Sequence, residues 1–304
     1  MGHDRIGIIG VGNIGAPMAM RMLERGARIT VYDRNPEATN PLRALGASVV
    51  QSSRELADVV DIVIASLPTR EASLEVALGT EGAIHGSAIK VYIETSTVGS
   101  AVITEIDRAF RAAGKEFLDA PVSGGPPGAR AGTLAVLASG SKTALAIVRD
   151  TLDLFAANVF YLGEQAGASQ VAKLINNHVS AAGRLAVLEG LSMAVKAGID
   201  VKTMNDVFNA SSGRNFTTTH KVPAAILTGA YKYNGPLTIA LKDQALLLEE
   251  ARQRGIPLWI APRILETFEE AAAAGYRHED GMRIFEYMNE QTREPVVAPQ
   301  SQRK

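Results

Sequence analysis

RIGIIGVGNIGAPMAMRMLERGARITVYDR, residues 5–34, decides the fold. A β-branched run, RIGIIG (5–10), meets three glycines, Gly10, Gly12 and Gly15, and then the helical pattern PMAMRMLERG, which Gly26 closes where a C-terminal cap belongs. A second strand, RITVYD (28–33), ends in Asp33. Strand, glycine turn, helix and strand form the dinucleotide-binding pattern. The first glycine makes the tight turn, the second lets backbone approach a pyrophosphate, and the third lets helix pack on strand. Phosphate then rests on the unpaired amides and positive dipole end of the helix, where Pro17 is tolerated in the first turn. Gly10, Gly12, Asn13, Ile14 and Gly15 are therefore cofactor-binding candidates. The Asp33 carboxylate suits ribose hydroxyls and repels a 2′-phosphate, which favours NAD. Arg34 beside it suits adenine stacking or that same phosphate, so NADP stays open.

Outward from this unit the alternation continues to residue 163: DIVIASL, KVYIET, EFLDAPV, TLAVLAS and VFYLG read as strands between helices such as AVITEIDRAFRAAG and TALAIVRDTLDLF. The pattern predicts an α/β, doubly wound, mostly parallel sheet covered on both faces. Loops at the strands' carboxyl ends should line one crevice, which adds Leu67, Pro68, Ser96 and Thr97 to the cofactor candidates. Capping of the following helix is the competing role for Ser96 and Thr97. Beyond Gly163 the strand signal stops and helices dominate. An unbroken run over 166–197, about 48 Å at 1.5 Å per residue, has the length of an interdomain helix. The expected organisation is a nucleotide-binding domain over 1–163, a helical domain over 164–292 and a frayed or arm-like tail over 293–304.

Composition narrows the chemistry. Lysine plus arginine (31) balances aspartate plus glutamate (32) in 304 residues, so nothing favours nucleic acid or an anionic membrane, and a small-molecule partner is expected. The absence of cysteine removes disulfides, thiolate metal sites and thiol nucleophiles, and fits a cytoplasmic setting; no metal is expected. No apolar run approaches the roughly 20 residues of a membrane span, and a strand-like run beginning at once leaves no room for a signal peptide.

Two further stretches carry chemistry. In DAPVSGGPPGARAGTL (119–134), Gly124 and Gly125 expose amides and Ser123 adds a hydroxyl, a concavity suited to a carboxylate, with a plain flexible turn as the alternative. In AGASQVAKLINNHVSAAG (166–183), Ala166, Ser169, Gln170, Asn176, Asn177 and Ser180 lie within about 60° of Lys173 at 100° per residue. Val171, Leu174, Ile175, Val179, Ala182 and Leu185 take the opposite arc. A solvated face carries mixed charges, whereas here Lys173 stands alone between Glu164 and Arg184, as in the wall of a covered site. His178, on the apolar side, reads as a packed core histidine.

GVGNIGAPMAM, DAPVSGG, GASQVAKLINN and the LKD at 241–243, in this order along the chain, resemble the 3-hydroxyisobutyrate dehydrogenase-related β-hydroxyacid dehydrogenases. The resemblance implies a Rossmann domain, a long interdomain helix, a helical C-terminal domain like that of 6-phosphogluconate dehydrogenase, and a homodimer or homotetramer. It also implies NAD(P)-dependent oxidation of a hydroxyl β to a carboxylate. Lys173 would be catalytic with Asn177 orienting substrate, Ser123, Gly124 and Gly125 would bind substrate, and Lys242 would approach the cofactor; Asn176, which like Asn177 can donate and accept at once, suits substrate binding or, alternatively, interdomain hydrogen bonding. Glu94 stands where relatives more often carry aspartate, a departure expected not to matter. Ser180 stands where 6-phosphogluconate dehydrogenases resemble one another in carrying a glutamate, which disfavours decarboxylation.

The expected mechanism gives Lys173 the hydroxyl proton in oxidation and has it return a proton to the carbonyl oxygen in reduction. Burial favours the neutral form of an amine, so oxidation should improve in mild alkali. The substrate's far end is less defined. Arg214, His220 and Lys221 in the polar connection SSGRNFTTTHK (211–221) suit either a second anionic group or solvent. Reduction of succinic semialdehyde, glyoxylate or sulfolactaldehyde is the alternative activity, and a noncatalytic dinucleotide-binding scaffold is the alternative of another class.

Overall fold

The computed structural model describes residues 5–291. The tail expected over 293–304 lies outside the described residues. The chain divides into two compact units between Asn176 and Asn177.

In the first unit the elements run β1 (Ile6–Ile9), α1 (Gly15–Glu24), β2 (Ile29–Tyr32), α2 (Asn40–Ala44), β3 (Ser48–Val49), α3 (Ser53–Val59), β4 (Ile62–Ala65), α4 (Arg70–Leu78), β5 (Val91–Glu94), α5 (Ser100–Ala112), β6 (Glu116–Asp119), β7 (Val122–Ser123), α6 (Gly125–Ala131), β8 (Leu134–Gly140), α7 (Lys142–Leu152) and β9 (Ala156–Tyr161). The sheet order is β3-β2-β1-β4-β5-β6-β8-β7, with β9 beside β8. Pairings from β3 to β6 are parallel, and β8 runs antiparallel to β6 and β7. The first six strands thus have the doubly wound nucleotide-binding order, with its switch point between β1 and β4.

Alternation along each strand feeds two cores. Ile8, Ile64 and Ile93 join Met18, Met22 and Phe155 on one face, while Ile9, Val63 and Tyr92 join Leu56, Phe110 and Phe117 on the other. The Tyr92 and Phe110 rings lie 4.8 Å apart.

Helix α8 (Ala168–Lys196) gives its first turns to the first unit and the rest to the second. After it come α9 (Val201–Ala210), a wide-turn helix over Thr217–Ile226, α10 (Leu237–Gln253), α11 (Ala261–Ala271) and α12 (Ile284–Gln291). Leu188, Leu191, Val222, Leu237, Ile264, Phe268 and Phe285 form the second unit's core.

Three expectations need correction. The connection at 211–221 is helical from Thr217, because Asn215 organises it: its Oδ1 accepts from the Thr217 amide at 2.8 Å and its carbonyl from the Thr219 amide at 3.1 Å. The apolar arc of α8 is divided, with Leu174 and Leu185 buried but Ile175 and Val179 exposed. Ser96 does not cap α5, whose N-cap is Gly99: its hydroxyl is taken up by the Leu67 amide and Glu94.

Candidate active site

The glycine loop sits at the carboxyl end of β1. Gly10 has φ +83° and donates to the Tyr32 carbonyl at 2.9 Å; a Cβ there would drive into the Ser66 carbonyl. Gly15 has no room for a Cβ because the Gly10 carbonyl occupies it. Around Gly12, by contrast, a Cβ would meet nothing within 4 Å. Gly12 and Asn13 are exposed, and α1 begins with no side-chain cap and no acidic residue in its first turn. Those amides face an open cradle beside a positive dipole end, which fits the pyrophosphate of a dinucleotide.

Asp33 ties the loop to β2. Its carboxylate accepts from the Val11 amide and from the Asn35 amide, each at 2.8 Å, while Arg34 is exposed. Across the switch point the Leu67 amide donates to Ser96 Oγ at 2.7 Å. Ser96 Oγ in turn donates to Glu94 Oε1, which also accepts from the Ser96 amide at 3.0 Å. Ser96 therefore braces the Leu67–Pro68 turn. Glu94 is fully buried, its Oε2 makes no hydrogen bond among the described residues, and burial pushes its carboxyl up to about 7.

Asp119, beside Glu94 at the end of β6, is equally buried and is pushed up by that burial to about 7, even though it accepts hydrogen bonds from Gln170, Ser139 and Gly167. Its Oδ2 takes the Ser139 hydroxyl at 3.0 Å and the Gly167 amide at 3.1 Å; its Oδ1 takes Gln170 Nε2 at 2.7 Å. The Gln170 amide is saturated. Its Oε1 accepts from the Val98 and Gly99 amides at 2.9 and 3.0 Å, and Nε2 also donates to the Ser96 carbonyl at 3.1 Å. The start of α8 is thus fixed to the β5 and β6 ends of the sheet, and one turn later Lys173 is 8% exposed. The sequence named Gln170 only as part of a polar stripe and set Glu94 aside; polar residues at two adjacent strand ends were the available signal.

In the DAPVSGG segment, Ser123 ends β7, and Gly124 and Gly125 have φ +131° and +63°, values that favour glycine. The segment expected as a loop continues directly into α6. In the second unit Asp243 is the organiser. It accepts from Asn177 Nδ2 at 2.6 Å and pairs with Lys242 Nζ at 2.9 Å. Asn176 is exposed, and His178 is half-buried with Nδ1 3.2 Å from Gln244 Oε1, not packed in an apolar core.

A pocket of about 170 Å³ opens in the second unit, lined by Asn177, Ser180, Arg184, Lys221, Asp243 and Gln244 among others. Lys221 reaches it, but Arg214 and His220 do not: both are exposed, and His220 stacks on Phe216 at 4.5 Å. Arg184, which sequence reading passed over, lines it beside Lys221. Among the described residues no cluster of His, Asp or Glu is arranged for a metal, and no helix is long and apolar enough to cross a membrane.

Comparison with known proteins agrees with this geometry. Residues 5–163 match the family described as the NAD binding domain of 6-phosphogluconate dehydrogenase, and residues 167–288 that described as NAD-binding of NADP-dependent 3-hydroxyisobutyrate dehydrogenase. The chain is 30% identical over 296 residues to human mitochondrial 3-hydroxyisobutyrate dehydrogenase, covering 94% of this chain and 87% of the relative. It is 27% identical to the 2-(hydroxymethyl)glutarate dehydrogenase of Eubacterium barkeri, covering 95% and 96%. The solved structure of Mycobacterium tuberculosis 3-hydroxyisobutyrate dehydrogenase with L-serine superposes with a TM-score of 0.84 at 27% identity, covering 94% of this chain and 99% of that one.

Proposed function

Because the chain belongs to the 3-hydroxyisobutyrate dehydrogenase-related family of NAD(P)-dependent oxidoreductases acting on CH–OH groups, we propose that it interconverts a small 3-hydroxy acid and its aldehyde or keto acid, with Lys173 as general acid and base. The observation that carries this reading is the burial of Lys173 one turn beyond Gln170, whose amide ties that turn to the carboxyl ends of β5 and β6. When bound, the nicotinamide supplies the hydride acceptor or donor. Lys173 takes the hydroxyl proton in the oxidising direction and returns it to the carbonyl oxygen in the reducing one. Asn177, oriented by Asp243, holds the reacting oxygen; Ser123 and the amides of Gly124 and Gly125 hold the carboxylate. Ser180 offers no carboxyl acid for decarboxylation, so the reaction ends at hydride transfer.

Asp33 at the end of β2 supports NAD over NADP, because a 2′-phosphate beside its carboxylate is repelled. The exposed apolar stripe of Ile175, Val179 and Met193 on α8 supports a homodimer or homotetramer.

The test is nicotinamide absorbance with 3-hydroxyisobutyrate, 2-(hydroxymethyl)glutarate, succinic semialdehyde, glyoxylate and sulfolactaldehyde, each with NAD(H) and NADP(H). Lys173→Ala should lower kcat at least about 100-fold on the best of them, with cofactor affinity by fluorescence retained. Normal turnover in that variant refutes the assignment of Lys173, and cofactor binding without turnover of any substrate by the wild type points to a scaffold.

A further inference from the structure

The pocket of the second unit contains two cations that no carboxylate neutralises directly. Arg184 is 7% exposed, yet among the described residues it makes no hydrogen bond and no ion pair, and its Nε is buried without a partner. Its guanidinium is held in place by shape. It lies over the Phe268 ring, 5.0 Å from the centroid, and so close to Gly281 that a Cβ there would collide with Nη1. Lys221 stands nearby, with Nζ donating to Ser180 Oγ at 3.5 Å and lying 5.7 and 5.9 Å from the Phe216 and Tyr233 rings.

The nearby carboxylates are engaged elsewhere. Asp243 is paired with Lys242 and bonded to Asn177. Asp280 accepts from the backbone amides of Tyr233, Gly235 and Met282 at 2.8, 3.0 and 3.0 Å and makes no ion pair with either cation. Buried charge is ordinarily paired, because desolvation without a partner is costly. Burial, and then the neighbouring Arg184 charge, push Lys221 down to about 8, and burial lowers Arg184 to about 10, in both cases against the Asp280 charge, which acts on each without a direct ion pair. Both therefore remain mainly protonated at neutral pH. Two desolvated cations and a hydroxyl that one of them contacts, lining a common pocket, form a receptor for an oxyanion.

Resting on the hydroxy-acid reading above, we propose that Arg184, Lys221 and Ser180 bind a second anionic group on the substrate, so that the preferred substrate is a dianion. That group is a carboxylate or a chemically similar oxyanion at the end of a short arm. Placement along α8 agrees: Asn177, Ser180 and Arg184 follow Lys173 at i+4, i+7 and i+11, one stripe of the helix, and Ser180 lies roughly 10 Å along the axis from Lys173. The reacting carbon and the distal anion would then be read by successive turns of one helix.

The experiment compares 2-(hydroxymethyl)glutarate with 2-(hydroxymethyl)pentanoate, which differ only in whether the arm ends in a carboxylate or a methyl. In the wild type, kcat/KM should favour the dianion by about 10- to 100-fold. In Arg184→Gln and in Lys221→Gln that preference should fall to within about 3-fold, and Arg184→Lys should keep part of it. Calorimetry of glutarate against pentanoate, neither of which reacts, gives the same comparison without turnover. Since Arg184 is buried and its variant risks misfolding, the half-buried Lys221 decides in that event. No dianion preference in the wild type, or one that survives both glutamine variants, overturns the proposal. If no hydroxy acid turns over but glutarate binds in an Arg184-dependent way, the dehydrogenase reading fails and the anion site stands.

Discussion

At the scale of single residues, Gln170 does more than its place in a polar stripe suggested. Its side chain has two acceptor and two donor bonds, all made to groups that are themselves buried. Gln170→Leu would fill the same space while leaving the Val98 and Gly99 amides, the Ser96 carbonyl and Asp119 Oδ1 without that partner. Each orphaned buried group costs about 1–3 kcal/mol, less whatever relaxation recovers. A loss of about 3–5 kcal/mol in urea unfolding is expected, at the upper end of what single substitutions do. A loss below about 1 kcal/mol would mean that water or backbone movement replaces the amide, and that Gln170 does not fix the start of α8. The glycine loop was legible because its constraints are local: turn, helix start and strand end fall within one short stretch. Gln170 and Arg184 were not, because their meaning depends on partners far along the chain, the Val98 amide and Asp119 for one, Phe268 and Gly281 for the other.

At the scale of elements, α8 carries two stripes whose burial reverses what polarity alone suggests. Ser169, Gln170 and Lys173 are buried, whereas Ile175, Val179 and Met193 are 52%, 65% and 77% exposed. The last three, with Ala186, fall within about 40° of one another at 100° per residue, the spacing of a seam rather than of scattered surface positions. Helical periodicity was readable in the sequence. Which arc would be covered was not, because periodicity does not say what packs against a face. An apolar seam left open on one chain is best covered by a second copy presenting the same face. Val179→Glu should therefore reduce the mass in solution, measured by light scattering, toward that of one chain, with the helical circular-dichroism signal retained. A wild type of single-chain mass, or a variant that assembles as the wild type does, counts against this seam as the interface.

At the scale of the whole molecule, the two buried carboxyls at the sheet's switch side couple folding to pH. Glu94 and Asp119 are raised to about 7 by burial, well above the ordinary carboxylate range. Between about pH 4 and 7 the folded chain therefore holds protons that the unfolded chain releases. A raised carboxyl contributes stability that is complete below its unfolded value and is lost as pH rises through the folded one, so these two groups make the protein less stable at pH 8 than at pH 5.5. The large shifts of Asp61 and Lys221 act mainly outside this window. Asp61, lowered to about 2, contributes stability that is complete above the ordinary aspartate value and is lost only in stronger acid, and Lys221, lowered to about 8, adds stability as pH rises from there toward the usual lysine range. Glu94→Gln keeps the shape and removes the titration, so its unfolding midpoint should fall less between pH 5.5 and 8 than that of the wild type. Parallel profiles for the two proteins would show that Glu94 is ionised throughout this range. Glutamate in place of the aspartate usual in relatives would then be the harmless exchange expected from sequence, and not a longer side chain that braces Ser96 while holding a proton.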